Sequence, residues 1–299
     1  MYWLLTSSPM IKSLDEAADT KIIDGLYNIG VSNRAEFSEV IANKCHLPAR
    51  SNFKRLGFYA EALYHAFCAH HNHIDVIAHN IQIKHAQSDA TKGELDFLLE
   101  RDDELIHLEM AVKFYLYDHQ QQLFIGPNTK DRLDKKLRRM ATHQLALSST
   151  EEGKSVVHEL GYNNARTELL LKGVLFHHWR QPTPYQTVYK DFEINPMAEW
   201  GVWVRLSEWN TFKESLANNR TLRAIPKMAW MGLASIDDES GPSIDVKSPR
   251  RPMTPTIKNP LGMWVLENAN QDNNIATTSE TYRIMVVADE WPQIPASKN

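Results

Sequence analysis

The chain contains very little cysteine: only Cys45 and Cys68 occur among its 299 residues. Two cysteines cannot form a disulfide framework, so a reducing cytoplasm is the expected compartment. No apolar stretch approaches the roughly 18 residues of a membrane span, and residues 1–20 lack the basic and apolar regions of a secretory signal. We therefore expect a cytoplasmic protein that has no membrane association.

The chain also lacks an excess of basic charge, because its formal net charge is −4 at pH 7. Proteins that bind nucleic acid over much of their surface are usually basic, so any such contact requires a local patch. The sequence contains no Walker-type phosphate loop and no GxSxG elbow, and acyl hydrolysis therefore has no support. Its 42% hydrophobic content is sufficient for a large core.

Periodic apolar residues indicate the secondary structure of the first half. Residues 55–71 place Leu56, Tyr59, Leu63 and Phe67 at helical spacing. Strands are predicted at 79–85, 93–99, 105–117 and 168–179, and a basic helix at 130–149. The tight connection at 101–104 makes the second and third strands a hairpin. This order predicts an α/β protein with a mixed central sheet flanked by helices.

The composition changes after residue 180. Seven of the eight tryptophans lie at position 179 or later, and most are expected to fill a core. Residues 240–260 contain five prolines and predict a long surface loop or a segment that becomes ordered on binding. Residues 281–292 predict a late strand. We expect a domain at 1–180 and a strand- and Trp-rich C-terminal extension at 181–299 that packs on it.

Acidic residues interrupt the apolar hairpin at 93–117. Strand alternation places Glu94 and Asp96 on one face of the first strand, and Glu109 and Lys113 on one face of the second. If the strands pair, Asp96 and Glu109 can converge, with Glu94 as a competing ligand. Two carboxylates suit Mg²⁺ (or Mn²⁺), and a lysine beside them can orient a water. A solvated sheet face, or a structural ion pair between Glu109 and Lys113, explains the same pattern without a catalytic or metal-binding role.

Histidines after the first helix allow a zinc interpretation. The stretch "CAHHNH" at 68–73 follows His65, but no second paired half occurs at suitable spacing. Cys68 is better explained as a small buried residue at a helix end.

Several motifs together resemble a known superfamily. The order of a helix with Glu61, a strand, "GELD", "HLEMAVK", a basic helix and a strand resembles the PD-(D/E)XK, restriction-endonuclease-like nuclease core over roughly residues 50–180. Most of the chain is similar to an uncharacterised bacterial family, domain of unknown function 1853. The motifs that carry this second resemblance are "RLGFYAEALYHAF", "GELDFLL", "HLEMAVKFYL", "GPNTKDRLDKKL" and "HQLALS".

The nuclease resemblance implies roles for individual residues. Asp96 matches the metal-binding aspartate, and Glu109 matches the acid of the (D/E)XK element. Glu61 matches the acid of the first helix, which can bind a second metal or hold its water. Lys136 or Gln144 would contact phosphate from the second helix. The motif's lysine position holds Ala111, and Lys113 follows one strand period later on the same face.

The basic helix predicts contacts with the nucleic-acid backbone. Arg132, Lys136, Arg139 and His143 recur on one face at spacings of four, three and four. Such contacts are sequence-independent and salt-sensitive. A solvated helix face is the alternative for this helix taken alone.

Two functions are compatible with the sequence. The first is a Mg²⁺-dependent nuclease that hydrolyses phosphodiester bonds in DNA, with Asp96 and Glu109 on the metal, Lys113 orienting water and Glu61 assisting. The second is a catalytically inactive protein of the same fold that binds nucleic acid or a protein partner. The displaced lysine and the acidic net charge favour the second function. By analogy with small nucleases of this fold, a homodimer is compatible with either.

Overall fold

The computed structural model describes residues 2–11, 47–70, 74–184, 188–189, 192–216, 220–231, 243–245, 262–268 and 282–292. In these ranges a mixed β-sheet is flanked by helices, which confirms the predicted α/β class. None of the helices in them is long and apolar enough to cross a membrane.

Helices separate runs of consecutive strands along the described chain. The α-helices are α1 (Tyr2–Thr6), α2 (Leu56–Cys68), α3 (Leu133–Arg139), α4 (Glu151–Glu159) and α5 (Trp209–Ser215). The 3-10 turns are Arg50–Asn52, Leu145–Ser149, Leu206–Glu208 and Lys227–Ala229, and Met140–Gln144 is π-helical. The strands are β1 (Asp75–Lys84), β2 (Thr91–Arg101), β3 (Glu104–Asp118), β4 (Leu123–Ile125), β5 (Arg166–His178), β6 (Val188–Tyr189), β7 (Phe192–Glu193), β8 (Glu199–Arg205), β9 (Arg220–Ile225), β10 (Ser243–Asp245), β11 (Gly262–Asn268) and β12 (Tyr282–Val287).

The described residues form two compact units. The first draws on 1–113, 134–173 and 187–198, and the second on 114–133, 174–186 and 199–299. Both units are discontinuous in sequence, because β3 and β5 contribute residues to each. The expected domain division at residue 180 stays a prediction.

The first unit is built around the β2–β3 hairpin. Asp102 and Asp103 form its turn with φ angles of 53° and 62°. Positive φ at both central residues matches the twist of the flanking strands, and aspartate tolerates it better than most residues do. Strand β1 pairs antiparallel with β2, and the residues of β3 in this unit lie beside those of β5.

Both faces of the hairpin are covered, which explains its nearly continuous apolar sequence. The Tyr64 ring of α2 packs edge-on against Phe97, with centroids 5.5 Å apart. Leu98 belongs to an apolar cluster with Leu147 and Val157, which come from the 3-10 turn and from α4. Each such buried side chain stabilises the fold by about 1.5–3 kcal/mol. Polar groups inside this hairpin are therefore shielded from much of the solvent.

A glycine allows β5 to pass close to β3 within the first unit. Gly173 has a φ of 148°, and a Cβ added there would lie 1.7 Å from the backbone oxygen of Lys113. Any side chain at this position would collide with the β3 backbone. Gly173 therefore determines how close the two strands approach beside Lys113.

The second unit contains the tryptophan-rich part of the chain. Strand β8 pairs parallel with β5 and with β12, and β11, β9 and β10 continue antiparallel. Four of its tryptophans are buried, which confirms the core expectation for them: Trp203, Trp209, Trp230 and Trp291. Buried Arg283 is held by Glu199, with Nε 3.0 Å from Oε1, and donates to the backbone oxygen of Trp230 at 2.8 Å.

The predicted proline-rich loop falls mainly outside the described residues. Of residues 240–260 only 243–245 are described, and they form β10 on the edge of β9. The late strand predicted at 281–292 is shorter than expected, because β12 ends at Val287.

Candidate functional site

The two carboxylates expected to bind metal meet where β2 and β3 stop pairing through their backbones. The regular register ends with Phe97 opposite Leu108. One residue further, the N–H of Asp96 donates to Oε1 of Glu109 at 3.4 Å. The N–H of Met110 donates to Oδ2 of Asp96 at 2.9 Å. Each acid thus replaces a backbone acceptor on the neighbouring strand, and the structure brings the two acids together.

Glu109 is completely buried and is held by side chains as well as by this backbone contact. Oε1 lies 3.0 Å from Nε2 of His107, and Oε2 accepts a hydrogen bond from Nε2 of Gln144 at 2.6 Å. A carboxylate with donors on both oxygens has one orientation. Such an arrangement pre-organises a ligand before a cation arrives.

His107 links Glu109 to a third side chain. Its Nδ1 lies 2.9 Å from Oγ of Ser148, and the ring and hydroxyl are both buried. If Nε2 of His107 donates to Glu109, Nδ1 accepts a hydrogen bond from the Ser148 hydroxyl. These contacts connect Ser148 through His107 to Glu109.

Gln144 and Ser148 reach the site because the helix predicted at 130–149 changes its winding. The α-helical part ends at Arg139, residues Met140–Gln144 are π-helical, and Leu145–Ser149 form a 3-10 turn. The expectation of one regular helix is wrong in this respect. Short π segments are frequent at functional sites, where they redirect side chains. Here the altered winding accompanies the contacts of Gln144 with Glu109 and of Ser148 with His107. Local helix propensity does not encode either contact.

Asp96 is half-buried, and its environment disfavours its charged form. Burial, and next the charge of Glu109, raise the pKa of Asp96 to about 7, while the hydrogen bond from Met110 acts in the opposite direction. Its second oxygen, Oδ1, has no hydrogen-bond partner among the described residues. A cation at this point would offset the repulsion between the two acids.

A lysine from α3 lies beside both acids. Nζ of Lys136 donates to Oε1 of Gln144 at 3.2 Å, and Gln144 in turn donates to Glu109. Burial, followed by the charge of Lys113, lowers the pKa of Lys136, whereas Asp96 and Glu109 raise it. Lys113 and Lys136 are therefore both near the site, and Gln144 connects the Lys136 ammonium to Glu109.

Glu61 of α2 belongs to the same electrostatic cluster. Burial, and then the charge of exposed Glu94, raise the pKa of Glu61; Glu109 adds to this rise and Lys136 opposes it. Four acids thus influence one another at this end of the hairpin. Glu94 remains solvated, while Asp96 hydrogen-bonds across the strands, so the geometry favours Asp96 as the ligand.

The predicted nucleic-acid contacts are divided by the fold. Arg139 is exposed on α3 and lies close enough to lower the pKa of Lys136. Arg132 belongs to the second unit, where it forms an isolated β-bridge with Ile125. Gln144 is engaged by Glu109 and Lys136, which makes it a positioning residue for the acid.

Two site residues were not identified as functional from the sequence. The sequence pattern could have identified His107, because strand alternation places it on the same face as Glu109. Ser148 had none, because a regular helix would not direct it to that histidine.

The donor set at the site fits a hard divalent cation. In the described ranges, no three or more His, Cys, Asp or Glu side chains form a group that could hold a metal ion. Mg²⁺ usually takes one or two carboxylates and completes its shell with water and substrate phosphate, so two acids are enough.

The zinc interpretation rests on residues 68–73, and residues 71–73 of that stretch lie outside the described residues. Cys68 is buried in the core, and burial raises the pKa of its thiol to about 12.

Comparison with known proteins gives a family and no relative of known function. No curated protein and no solved structure matches the chain. The family model described as "Domain of unknown function (DUF1853)" matches residues 1–287, and the chain belongs to that family.

Proposed function

We propose that the first unit is a Mg²⁺- or Mn²⁺-dependent nuclease of the PD-(D/E)XK type that hydrolyses phosphodiester bonds in DNA. The observation that carries this proposal is the crossed hydrogen bonding of Asp96 and Glu109, which places two carboxylates at one point of the β2–β3 hairpin. The restriction-endonuclease-like identity of the core is part of the same proposal. The mixed sheet with helices on both faces of the hairpin supports it.

Asp96 and Glu109 would hold the metal. When bound, a divalent cation polarises a phosphoryl oxygen and lowers the pKa of a coordinated water. Glu109 is held in one orientation by Gln144 and His107. Asp96 contributes Oδ1, while Met110 holds its other oxygen in place.

The surrounding cations have separate roles. Lys113 follows Glu109 on the same strand face and orients the attacking water. Lys136 lies beside both acids and contacts the phosphate that is cleaved. Arg139, on the exposed side of α3, neutralises a neighbouring phosphate. Glu61 assists by holding a second cation or its water near Glu94.

A catalytically inactive binding protein is the second candidate. Ala111 stands where the motif requires lysine, and both oxygens of buried Glu109 already have protein donors. This candidate keeps the contacts of Arg139 and Lys136 with nucleic acid, or uses the fold for a protein partner. It predicts binding without turnover.

A cleavage assay separates the two candidates. Duplex DNA, single-stranded DNA and structured RNA are incubated with the full chain in millimolar Mg²⁺ or Mn²⁺, and the same preparation is tested as Glu109→Gln. Metal-dependent cleavage that Glu109→Gln abolishes supports the nuclease. Glu151→Gln is the matched control, because Glu151 is exposed on α4. Equal activity, or equal inactivity, of wild type and Glu109→Gln contradicts the nuclease proposal.

A further inference from the structure

A cationic and aromatic surface precedes the candidate site on the first unit. Residues 47–60 contain three basic residues and no acid, in a chain whose net charge is −4. Lys54 and Arg55 are exposed, and neither has an ion-pair partner in the described part of the chain. This local reversal of charge matches a polyanion.

An exposed aromatic ring lies within this surface. The Phe58 side chain, in the first turn of α2, is 54% exposed. The Arg55 guanidinium lies over one face of the ring, 5.6 Å from its centroid. A single exposed apolar residue is common on protein surfaces, but a flat ring accompanied by unpaired cations is the combination that binds single-stranded nucleic acid.

Phe58 lies one helical turn before Glu61 on α2. Phe58 and Glu61 are three residues apart, which places them on neighbouring positions of one helix face about 4.5 Å apart along the axis. Glu61 interacts electrostatically with Glu94 and Glu109. A strand whose phosphate reaches the acids beside Glu61 therefore passes within one helical turn of Phe58.

The segment carrying the ring is fixed by packing. Phe53 and Tyr59 are half-buried and pack against each other, with centroids 5.4 Å apart. The following turns of α2 bury Leu63 and Tyr64. A ring held on such a support loses little conformational freedom when a base stacks on it.

We propose that Lys54, Arg55 and Phe58 form a binding surface for a strand with unpaired bases, and that Phe58 stacks on a base next to the phosphate at the acids. This inference rests on the proposed function and narrows its substrate to single-stranded nucleic acid or to a duplex with an unpaired end. A paired base presents no open face to Phe58, because both of its faces are stacked in the duplex. The cations contact the backbone of either form.

Fluorescence anisotropy tests the surface independently of cleavage. The probes are labelled oligothymidylate and oligouridylate of about 20 nucleotides and a blunt DNA duplex of two separate strands, in Ca²⁺ to support binding without turnover. Phe58→Ala weakens single-strand binding by about 5- to 150-fold, because one stacked base contributes about 1–3 kcal/mol. The same variant leaves duplex binding unchanged. Lys54→Gln combined with Arg55→Gln weakens both probes and reduces the salt dependence of binding.

Two exposed side chains outside this surface provide matched controls. Met197→Ala removes an apolar side chain that is 75% exposed, and Lys154→Gln removes an exposed cation of α4. Neither changes the affinity for any probe. Because all the altered side chains are exposed, the variants retain the melting temperature of the wild type.

The outcomes separate this inference from the proposed function. If Phe58→Ala binds single strands as wild type does while cleavage still requires Glu109, the surface is refuted and the nuclease stands. If wild type binds no probe, shows no metal-dependent thermal shift and cleaves nothing, both fail. A surface that binds protein would also give wild type no affinity for the probes, which contradicts the inference.

Discussion

Asp96 and Glu109 are linked across the hairpin: the backbone N–H of Asp96 donates to Glu109, and the carboxylate of Asp96 accepts from the backbone N–H of Met110, the residue after Glu109. The backbone ladder is interrupted at this point, and two acids take the place of carbonyl acceptors. Such an interruption places charge inside a covered sheet, where repulsion between the acids is not screened by bulk water. A bound cation would remove that cost.

Metal binding is expected to stabilise the protein through this pair of acids. Millimolar Mg²⁺ or Mn²⁺ raises the melting temperature by several degrees, because a ligand present at 100 times its Kd adds about 2.7 kcal/mol. Asp96→Asn abolishes the rise, and Glu151→Gln retains it. Differential scanning fluorimetry with and without metal measures the effect. The same rise in Asp96→Asn would exclude these acids as the metal site.

The pKa of Asp96 predicts a loss of stability as pH rises in the absence of metal. The folded state binds the proton of Asp96 up to about pH 7, whereas an unfolded aspartate releases it near pH 4. The stabilisation from this proton is complete below about pH 4 and is lost as pH rises through about 7. The raised pKa of Glu61 acts in the same direction.

Urea unfolding at pH 5 and pH 8 measures this dependence. The free energy of unfolding is lower at pH 8 in EDTA, and saturating Mn²⁺ reduces the difference because metal replaces the proton. Asp96→Asn has a shallower dependence, while Asp103→Asn, in the exposed hairpin turn, behaves as wild type. A wild type that becomes more stable between pH 5 and 8 in EDTA would contradict the assignment.

The two lysines are expected to affect different kinetic parameters. Lys113→Met lowers kcat by about 10²–10³ with little change in KM, because its contact with the attacking water strengthens in the transition state. Lys136→Met mainly raises KM, because phosphate contact is made already in the ground state. Steady-state cleavage of a labelled oligonucleotide distinguishes them, with Lys135→Met as the exposed neighbouring control. The reverse pattern would assign the water-orienting role to Lys136.

Ser148 is expected to act through His107 on the orientation of Glu109. Ser148→Ala leaves Nδ1 of His107 without its partner, so the free energy of unfolding falls by about 1–3 kcal/mol. Metal affinity falls by about 10- to 100-fold, as it does when outer partners of a ligand are removed. Calorimetric Mn²⁺ titration and urea unfolding measure the two effects. Ser149→Ala, at the exposed next residue, changes neither quantity. If Ser148→Ala binds Mn²⁺ with wild-type affinity, the Ser148–His107–Glu109 contacts have only a structural role.

Gly173 is expected to be intolerant of any side chain. Gly173→Ala places a methyl group 1.7 Å from the Lys113 oxygen at a φ of 148°, so it lowers the free energy of unfolding by several kcal/mol. Gly57→Ala is the contrasting variant, because its new Cβ would meet only Glu61 Oε1 at 3.9 Å within α2. That variant stabilises by about 0.5–1 kcal/mol. Equal effects of the two substitutions in urea unfolding would contradict the close approach of the strands.

Much of the hairpin could be predicted because its signals are local. Alternation from 105 to 117 predicted β3, and the strand follows at Glu104–Asp118. The turn residues Asp102 and Asp103 marked the connection between its strands. Helix α2 was predicted at 55–71 and is present at Leu56–Cys68, because its apolar side chains recur at three- and four-residue spacing.

The helical segment after β4 could not be predicted in the same way. Its periodicity is compatible with one helix over 130–149, but the structure contains α-, π- and 3-10 turns in succession. Buried hydrogen bonds to His107 and Glu109 accompany the altered winding, and these partners lie 41 and 35 residues away in sequence. Local propensity does not contain such distant partners.

The sequence by itself determined which residues share a strand face or a helix face, because side-chain direction repeats every two residues in a strand and about every 3.6 in a helix. That periodicity was enough to place Asp96 and Glu109 on one side of a hairpin. Only the tertiary structure decided that Glu109 is fully buried, that Gln144 and Ser148 contact its network, and that Lys136 lies beside both acids. Burial and charge proximity depend on how distant segments pack, and no local repeat in the chain specifies that packing.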